Sequence, residues 1–192
     1  MPPTHYREKR DFTKTKEPRG RKSRRKQQRF VVQKHDATTL HYDFRLEFDG
    51  VLKSWAVPKG PSTNPRDKRL ARPTEGHPVD YIDFEGVVPD GQYGPGPVIV
   101  WDAGTYSNTT EKDGKSVPLN ETLAAGHVSF ELDGAKLHGG WSLNRIRRGN
   151  SESWLLIKRA DDAPDRRRKV VSALPTSTLT DRTIEDVVAE ES

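Results

Sequence analysis

His35, His41 and Asp43 are the residues of this sequence best suited to carry out chemistry. Two neutral imidazoles and one carboxylate form a mixed ligand set that suits Mn²⁺, Fe²⁺ or Zn²⁺ and leaves positions for water or substrate. His41 and Asp43 are two residues apart, which on a β-strand puts both side chains on one face, about 7 Å apart at Cα. Such a pair is also typical of a solvated strand face. His35 favours the metal site, because a short connection through residues 36–40 would bring it beside His41.

A strand predicted over residues 41–48 would position these groups. Alternation separates its apolar from its polar side chains: Tyr42, Phe44, Leu46 and Phe48 on one face, and His41, Asp43, Arg45 and Glu47 on the other. We expect the apolar face in the core and the polar face outside. Arg45 follows Asp43 on the polar face, where its planar guanidinium would bind a phosphate through two parallel hydrogen bonds. A metal ion beside an arginine indicates phosphoryl chemistry.

The surrounding chain, residues 29–160, is typical of an all-β domain. Short alternating segments separated by Gly, Pro, Asn and Asp predict strands over residues 29–35, 41–48, 51–57, 79–84, 98–101, 127–132, 137–146 and 154–159. Eight short strands favour a compact barrel or a sandwich. Asp49-Gly50 and Asp133-Gly134 are typical two-residue hairpin turns. Short helices are predicted over residues 119–125, followed by Gly126, and over residues 181–190. The four tryptophans are expected to fill the core, and the glycine-rich residues 91–96 to form a tight loop.

Charge divides the chain into three parts. Residues 1–29 carry twelve Lys and Arg against three acidic residues, a net charge of +9, whereas the whole chain carries only +5. We therefore predict a basic, flexible N-terminal arm over residues 1–28, a barrel domain over residues 29–160 and a C-terminal tail over residues 161–192. A basic arm suits a polyanionic partner, because each phosphate that it neutralises releases counterions. A merely solubilising arm is the alternative.

Composition excludes several classes of protein. The chain has no cysteine, which excludes disulfides, thiolate metal sites and cysteine nucleophiles. No apolar run approaches the roughly 18 residues of a membrane span, and the N-terminus is too charged for a signal peptide. We expect a cytoplasmic protein that has no membrane association.

Longer stretches around these residues resemble the 3′-phosphoesterase domain of bacterial ATP-dependent DNA ligase D. The resemblance rests on residues 33–47 (QKHDATTLHYDFRLE), 55–62 (WAVPKGPS), 77–81 (HPVDY) and 84–86 (FEG), together with residues 10–13 and 17–18. It runs from about residue 6 to residue 160. No ligase or polymerase module follows, so we expect a stand-alone version of the domain.

The resemblance implies a compact eight-stranded β-barrel with an external groove that holds Mn²⁺, with other divalent transition metals as alternatives. The ion would be bound by His35, His41 and Asp43. Arg45, His77 and Tyr81 would contact the scissile phosphate, and the supporting substrate-binding positions would be Gln33, Lys59 and Arg69 in the groove and Arg10, Asp11 and Glu17 in the arm. Gly76 replaces an acidic residue that is frequent in the family, which would loosen the position of His77.

The activity implied is the removal of a 3′-terminal ribonucleoside from DNA or an RNA-DNA primer-template, followed by hydrolysis of the remaining 3′-phosphate. The product is a hydroxyl end for break repair by non-homologous end joining, with a DNA ligase, polymerase or end-binding protein acting in trans. His77 is the predicted general acid, because imidazole is able to donate a proton near neutral pH.

Two other functions fit parts of the pattern. His41-x-Asp43 with a distant histidine, His127 or His138, would also match the facial triad of a non-haem Fe(II) oxygenase. That function leaves Arg45 and the basic arm unexplained. A DNA-end-binding module that lacks turnover would keep the fold and lose the hydrolysis.

Overall fold

A computed structural model of the protein describes residues 4–20, 28–161 and 169–192. Within these ranges the strands are β1 (Arg29–Asp36), β2 (Leu40–Phe48), β3 (Val51–Val57), β4 (Arg69–Pro78), β5 (Gly86–Val88), β6 (Gly96–Asn108), β7 (Glu111–Lys112), β8 (Lys115–Ser116), β9 (His127–Gly134), β10 (His138–Arg147) and β11 (Ser153–Lys158). The helices are α1 (Thr4–Glu8), α2 (Leu119–Ala125), α3 (Val170–Ala173) and α4 (Ile184–Glu191), and Val79–Asp83 forms a 3-10 helix. The basic run at residues 21–27, part of the predicted arm, lies outside the described residues.

Eight strands close into an antiparallel barrel, in the order β1-β2-β3-β4-β11-β10-β9-β6, and β6 returns to pair with β1. The barrel is closed because the long strand β6 pairs with β1 over residues 98–105 and with β9 over residues 104–108. Strand β5 adds to the start of β6. The predicted all-β, eight-stranded barrel with short helices is therefore confirmed.

One of the eight predicted strands is wrong, and one of the eight strands of the barrel, β4, was not predicted; the short strands β5, β7 and β8 outside the barrel were not predicted either. Residues 79–84 are not a strand: Val79, Tyr81 and Ile82 are buried on one side of a 3-10 helix, which ends with Phe84 N donating to Tyr81 O at 3.0 Å. Their apolar spacing imitates alternation over so short a segment. Strand β4 replaces it, although Pro73 and Gly76 are typical strand breakers. Pro73 is tolerated there because β11 pairs with β4 only at residues 69–71.

The structure confirms some of the predicted turns and helix ends and corrects others. Asp49-Gly50 forms the predicted two-residue turn, with φ of 51° and 78°, the left-handed conformation that a type I′ turn requires at both positions. Asp133-Gly134 does not form one, because Gly134 is still the last residue of β9, its N donates to Leu137 O, and the connection to β10 occupies residues 135–137. Helix α2 and Gly126 are confirmed. Helix α4 begins three residues later than predicted, because Thr183 and Asp186 form a capping box.

The interior of the barrel is apolar. The inward side chains of β2 pack there as predicted, with Phe44 1% exposed and Leu46 fully buried. All four tryptophans belong to the same core, which confirms their predicted place. This core fixes which face of β2 points outward.

A second layer covers part of the outside of the barrel. Tyr6, Val31, Leu52, Tyr81, Ile82, Phe84, Val88, Val98 and Val100 form its apolar cluster. Residues 4–20 contribute helix α1 and the fully buried Tyr6, so this part of the predicted flexible arm is folded against the barrel. The outward face of β2 is consequently buried under this layer instead of being exposed.

The segment 169–192 also packs on the barrel. Trp101 Nε1 donates to Leu174 O at 2.7 Å, and Arg182 pairs with Glu85 at 3.0 Å. Ile184 and Val187 of α4 pack against Ile99. Among the described residues, no helix is long and apolar enough to cross a membrane.

Candidate active site

A cleft of roughly 360 Å³ opens on the outward face of β1, β2 and β4. Its floor is formed by strand residues, and its walls come from the N-terminal segment, the 3-10 helix and the loop that precedes β6. Cleft residues that the sequence predicted are His35, His41, Asp43, Arg45, His77, Tyr81, Arg10 and Glu17. The fold therefore brings most of the predicted site together.

His35, His41 and Asp43, which we call the triad, lie within bonding range of one point in space. His35 and His41 are directly paired across β1 and β2, and their ring centroids are 4.9 Å apart. Asp43 Oδ2 lies 3.6 Å from His35 Nδ1 and 3.4 Å from His41 Nε2. The ligand atoms of all three residues lie within 4.8 Å of one another. This spacing is suitable for a single metal ion.

Backbone carbonyls select which ring nitrogens face the centre of the triad. His35 Nε2 lies 2.9 Å from Gly94 O, and His41 Nδ1 lies 2.9 Å from Thr39 O. A carbonyl oxygen only accepts, so in neutral rings these two nitrogens carry the protons. His35 Nδ1 and His41 Nε2 are then free to donate lone pairs to a metal. Outer hydrogen bonds of this kind are usual for metal-binding histidines.

Asp43 is held as a carboxylate. Burial alone would raise its pKa, but in the metal-free site the Arg45 guanidinium, together with His35 and His41 when their rings are protonated and donate to the carboxylate, outweighs burial and holds the pKa well below its usual 3.8. In His41, burial is likewise outweighed, here by Asp43, so that the pKa of the imidazole is raised. The triad without a metal thus already contains a negative charge at its centre.

Arg45 is fixed in one orientation by its neighbours. Its Nε donates to Gln33 Oε1 at 2.8 Å and its NH1 to Ser54 Oγ at 2.8 Å. Its NH2 lies 3.3 Å from Asp43 Oδ2. The guanidinium therefore lies in the cleft beside the triad, with its plane determined before any substrate binds. Gln33 is itself fully buried and donates to Tyr81 O and Phe84 O, so it supports Arg45 and does not face the cleft.

His77 lies between two guanidiniums. Its Nδ1 is 3.0 Å from both Glu75 O and Arg45 NH1, and its Nε2 is 3.5 Å from Arg10 NH2. Burial lowers the pKa of His77 well below 6.5, and the positive charges of Arg45 and Arg10 lower it further. His77 is therefore neutral in this site. This argues against the predicted role of His77 as a general acid, which requires a protonated imidazole.

The N-terminal segment closes one wall of the cleft with a buried polar network. Arg10 Nε donates to Glu17 Oε1 at 2.9 Å, and Tyr81 OH donates to the same oxygen at 3.1 Å. Burial and the Glu17 carboxylate raise the pKa of Tyr81 well above 10, so the phenol stays protonated. Tyr6 packs edge-on to His77, at 5.2 Å between ring centroids. The arm thus holds His77 and Tyr81 in place.

Besides Gln33, three of the predicted supporting residues lie outside the cleft. Asp11 caps its own turn by accepting from Thr13, and its backbone N donates to Gln92 Oε1 at 2.9 Å. Lys59 follows β3 and is exposed. Arg69 begins β4, with NH2 3.7 Å from Asp67 Oδ2. Their predicted contact with substrate therefore has no support from the shape of the cleft itself.

Sequence analysis missed two members of the network. Glu75 Oε1 accepts from Arg10 NH1 at 3.0 Å, and Glu75 Oε2 pairs with Lys9 at 3.2 Å. Glu75 precedes His77 by two residues on β4, a strand that was not predicted, so its face was not considered. Ser54 was missed because its role depends on pairing with Arg45 across β2 and β3.

The alternative triad with a distant histidine does not form. His127 and His138 belong to β9 and β10, which are separated from β2 in the barrel by at least two other strands. His127 Nδ1 interacts with Asn144 Oδ1 at 2.5 Å, and His138 Nδ1 lies 4.0 Å from Asp133 Oδ1. In the part of the chain that the structure describes, His35 is the histidine that completes the set.

Comparison with known proteins gives consistent matches. A sequence model of the DNA ligase D 3′-phosphoesterase domain matches residues 33–145, which include the triad, Arg45, His77 and Tyr81. The multifunctional non-homologous end joining protein LigD of Pseudomonas aeruginosa is 50% identical over 190 residues, which cover 95% of this chain and 22% of the relative. The multifunctional non-homologous end joining DNA repair protein LigD of Mycobacterium tuberculosis is 44% identical over 154 residues, covering 79% of this chain and 19% of the relative.

These relatives are much longer than the chain, which spans about a fifth of their length. A LigD protein from Mycolicibacterium smegmatis shows the same relation, with 39% identity over 161 residues that cover 82% of this chain and 20% of the relative. The family match covers more than half of the chain and contains the whole triad. The chain therefore belongs to the DNA ligase D 3′-phosphoesterase domain family.

Proposed function

We propose that this chain is a metal-dependent phosphoesterase that processes the 3′ ends of DNA for break repair by non-homologous end joining. It would remove a 3′-terminal ribonucleoside and then the 3′-phosphate that remains, so that the strand ends in a hydroxyl. The observation that carries the proposal is the triad, with its ligand atoms within 4.8 Å of one another, next to the fixed guanidinium of Arg45.

The donor set fits a divalent ion. His35 Nδ1, His41 Nε2 and Asp43 Oδ2 would hold it, and we propose Mn²⁺, with other divalent transition metals as alternatives, because imidazole and carboxylate ligands suit these ions. When bound, the ion would supply positive charge at the phosphoryl oxygens and would lower the pKa of a coordinated water. The hydrogen bonds from His35 to Gly94 O and from His41 to Thr39 O support this assignment.

The charges of the cleft also favour a phosphate. Three cations, Lys9, Arg10 and Arg45, are paired with three carboxylates, Asp43, Glu17 and Glu75. The network is thus close to neutral, since His77 and Tyr81 are uncharged. A divalent ion would leave an excess of positive charge that matches a phosphate monoanion or dianion.

The residues of the chain then have distinct tasks. Arg45 would donate to the phosphoryl oxygens, where negative charge grows in the transition state. Neutral His77 would contribute a ring nitrogen to the substrate only after displacing Arg10 or the carbonyl of Glu75, so it is a positioning and polar contact group. Tyr81 is a hydrogen-bond donor held by Glu17.

The proposed reaction of the diester is a hydrolysis. Water adds to phosphorus, the bond from phosphorus to the O5′ of the terminal nucleoside breaks, and O5′ takes up a proton. The products are a free nucleoside and a 3′-phosphate on the strand. In the second reaction water displaces the 3′-hydroxyl from that phosphate.

A gel assay tests the proposal. Purified chain is incubated with Mn²⁺ or with EDTA on three labelled primer-templates, ending in one ribonucleotide, in DNA only, or in a 3′-phosphate. We expect metal-dependent shortening of the first and loss of phosphate from the third. Stable binding to all three without any hydrolysis would instead support a non-catalytic end-binding module. A DNA ligase, polymerase or end-binding protein would then be tested for use of the trimmed ends in trans.

A further inference from the structure

The two sides of the triad differ in chemistry, and the difference bears on how a nucleic acid strand would cross it. On the β1 side, the loop at residues 89–95 places Tyr93 at the edge of the cleft, with 50% of its surface exposed. On the β3 side, the outward face carries Ala56 and then Arg72. The first side presents an exposed aromatic ring whose neighbouring cations, Lys9 and Arg10, are paired with carboxylates, and the second presents an exposed arginine.

Tyr93 belongs to a loop that is anchored next to the triad. Gly94 O binds His35 Nε2, and Gln92 Oε1 accepts from Asp11 N. Gly96 allows the loop to approach β1, since a Cβ there would lie 2.2 Å from Asp36 O. Lys9 Nζ lies 4.4 Å from the centroid of the Tyr93 ring. An aromatic ring that is half exposed and held in this way is suited to stack on a nucleobase.

Arg72 is placed by the register of three adjacent strands. Asp43 pairs with Ala56 on β3, and Ala56 pairs with Arg72 on β4. Trp55 and Ala71 point into the core, so Ala56 and Arg72 point outward, on the face of Asp43. Neighbouring strands are about 4.8 Å apart, which puts the Cα atoms of Asp43 and Arg72 about 10 Å apart. Only the methyl group of Ala56 lies between them in this row.

The charge of Arg72 is not compensated as the charges on the other side are. Arg10 is paired with Glu17 and Glu75, and Lys9 with Glu75. Arg72 is exposed and, with respect to the described ranges 4–20, 28–161 and 169–192, its guanidinium has neither a hydrogen bond nor an ion pair. A guanidinium in this state is available for a phosphate.

We propose that the substrate crosses the triad with a fixed polarity: the leaving nucleoside stacks on Tyr93, and the retained strand passes over Ala56 and binds Arg72 through a backbone phosphate. This inference rests on the proposed function. The leaving nucleoside is an uncharged group with an aromatic base, which matches Tyr93. The retained strand is a polyanion, which matches Arg72.

Neutral-backbone substrates test the Arg72 half. The substrates are primers ending in one ribonucleotide, with a methylphosphonate in place of the first or the second phosphodiester upstream of the scissile one. On the native primer, Arg72→Gln should raise KM roughly fivefold at low salt and reduce the salt slope by about 1. On the primer whose methylphosphonate replaces the contacted phosphate, Arg72→Gln should have no further effect. Lys112→Gln, in the β7–β8 hairpin at the far end of β6, is the matched control for loss of one exposed charge.

An abasic substrate tests the Tyr93 half. Tyr93→Ala should lower the ratio of diesterase to monoesterase kcat/KM by roughly tenfold, since only the diester has a leaving base. The loss should disappear when the terminal ribonucleoside lacks its base, and Tyr93→Phe should recover most of it. With the wild-type protein alone, removing that base should cost a similar factor, which keeps the test valid if a variant folds poorly.

The outcomes separate this inference from the proposed function. If the wild-type protein hydrolyses neither native substrate, the proposed function fails. Two results with an active wild-type protein would leave the function standing and overturn the polarity. The first is that the effects of Arg72→Gln and of each methylphosphonate on KM are additive. The second is that Tyr93→Ala slows hydrolysis of the diester and of the monoester equally.

Discussion

Phe44 and Arg45 are neighbours on β2 and are almost equally buried, at 1% and 3% exposure, but their surroundings differ completely. Phe44 points into the barrel, among the rings of Phe30, Trp55 and Phe130 at centroid distances of 5.7–6.4 Å. Arg45 points outward into a network of hydrogen bonds with Gln33 and Ser54. One strand therefore contributes to a core on one face and to a site on the other.

The inner face stabilises the fold through the burial of apolar surface. This contribution requires side chains of complementary shape but no particular orientation of donors and acceptors. The outer face costs desolvation energy for every charge that it buries, and this cost is offset only while all partners remain in place. The second layer is what keeps them there, because Arg10 and Glu17 come from the N-terminal segment. We expect inner-face changes to affect stability and outer-face changes to affect activity.

The largest loss of activity is expected for His41→Ala. The side chain of His41 is 22% exposed and is not part of the core, so the fold should survive its removal. Loss of one ligand of three should abolish hydrolysis of both the diester and the monoester and weaken Mn²⁺ binding measured by calorimetry. His138→Ala removes an exposed histidine elsewhere and should act like the wild type. Full activity of His41→Ala would exclude the triad as the metal site.

The largest loss of stability is expected for Phe44→Ala on the opposite face. Truncating a buried phenylalanine leaves a cavity and should cost about 3–5 kcal/mol in the free energy of unfolding. Urea denaturation and the melting temperature measure this loss. Leu40→Ala, at the start of the same strand and 41% exposed, is the control and should change stability little. An unchanged melting temperature for Phe44→Ala would mean that the two faces of β2 have been assigned the wrong way round.

Arg45→Lys tests whether the outer face works by geometry or by charge alone. Lysine keeps the positive charge but has no planar fork to bind Gln33, Ser54 and a phosphate together. We expect Mn²⁺ affinity to persist and kcat to fall by about 10²–10³, which corresponds to about 2.7–4 kcal/mol for one lost transition-state hydrogen bond. Nearly wild-type turnover would show that Arg45 supplies only a diffuse field. A collapse of Mn²⁺ affinity would contradict the division of this face into metal ligands and phosphate ligand.

The sequence was sufficient to predict the faces of β2, because the alternation of Tyr42 and Phe44 with Asp43 and Arg45 follows directly from strand geometry. The pairing of His35 with His41 was likewise predictable from the short connection between β1 and β2. What alternation cannot show is whether the outward face is covered. That depends on Tyr6, an isolated aromatic residue in a charged segment, which packs on His77 and Tyr81, about 70 residues further along the chain.

The failed predictions concern features that depend on structural context and not on the local sequence pattern. Residues 79–84 are too short for a period of two to be distinguished from one turn of 3-10 helix, and β4 carries prolines that are tolerated only because of which strands stop beside it. Glu75 and Ser54 were missed for the same reason, since their roles follow from cross-strand register. The low pKa of His77 was also not predictable, because it needs the burial and both guanidiniums in place.

The burial of neutral His77 predicts a dependence of stability on pH. Below about pH 6.5 the unfolded chain binds a proton on this histidine, whereas the folded protein, with its lowered pKa, does not. The unfolded state then binds more protons, so stability falls as pH falls below about 6.5 towards the lowered pKa of the folded protein, with a limiting slope of about 1.4 kcal/mol per pH unit.

The comparison uses His77→Gln, which has no titrating group at this position. Urea denaturation of the metal-free protein at pH 7, 6 and 5 should show a steeper loss of stability for the wild type than for the variant. All other groups, including His41 with its raised pKa, are common to both proteins. Parallel profiles would mean that His77 is able to take up a proton inside the fold.

The smallest effect on stability and on turnover is expected from changes in the basic run of the arm, residues 21–27. Replacing Arg21, Lys22, Arg24, Arg25 and Lys26 with Gln removes five charges and keeps the length of the chain. Arg19 and Gly20 are retained, because their carbonyls accept from Arg7 at 3.0 Å and 2.8 Å and hold the N-terminal segment together. The described contacts that fix the triad and Arg45 are made by residues outside this run, so we expect kcat and the melting temperature to stay unchanged. KM for duplex substrates should rise and its dependence on salt should become weaker, since fewer counterions are released on binding. Steady-state kinetics at several salt concentrations measure both quantities. A fall in kcat at saturating DNA with KM unchanged would show instead that the basic run contributes to the outer face and to the chemistry there.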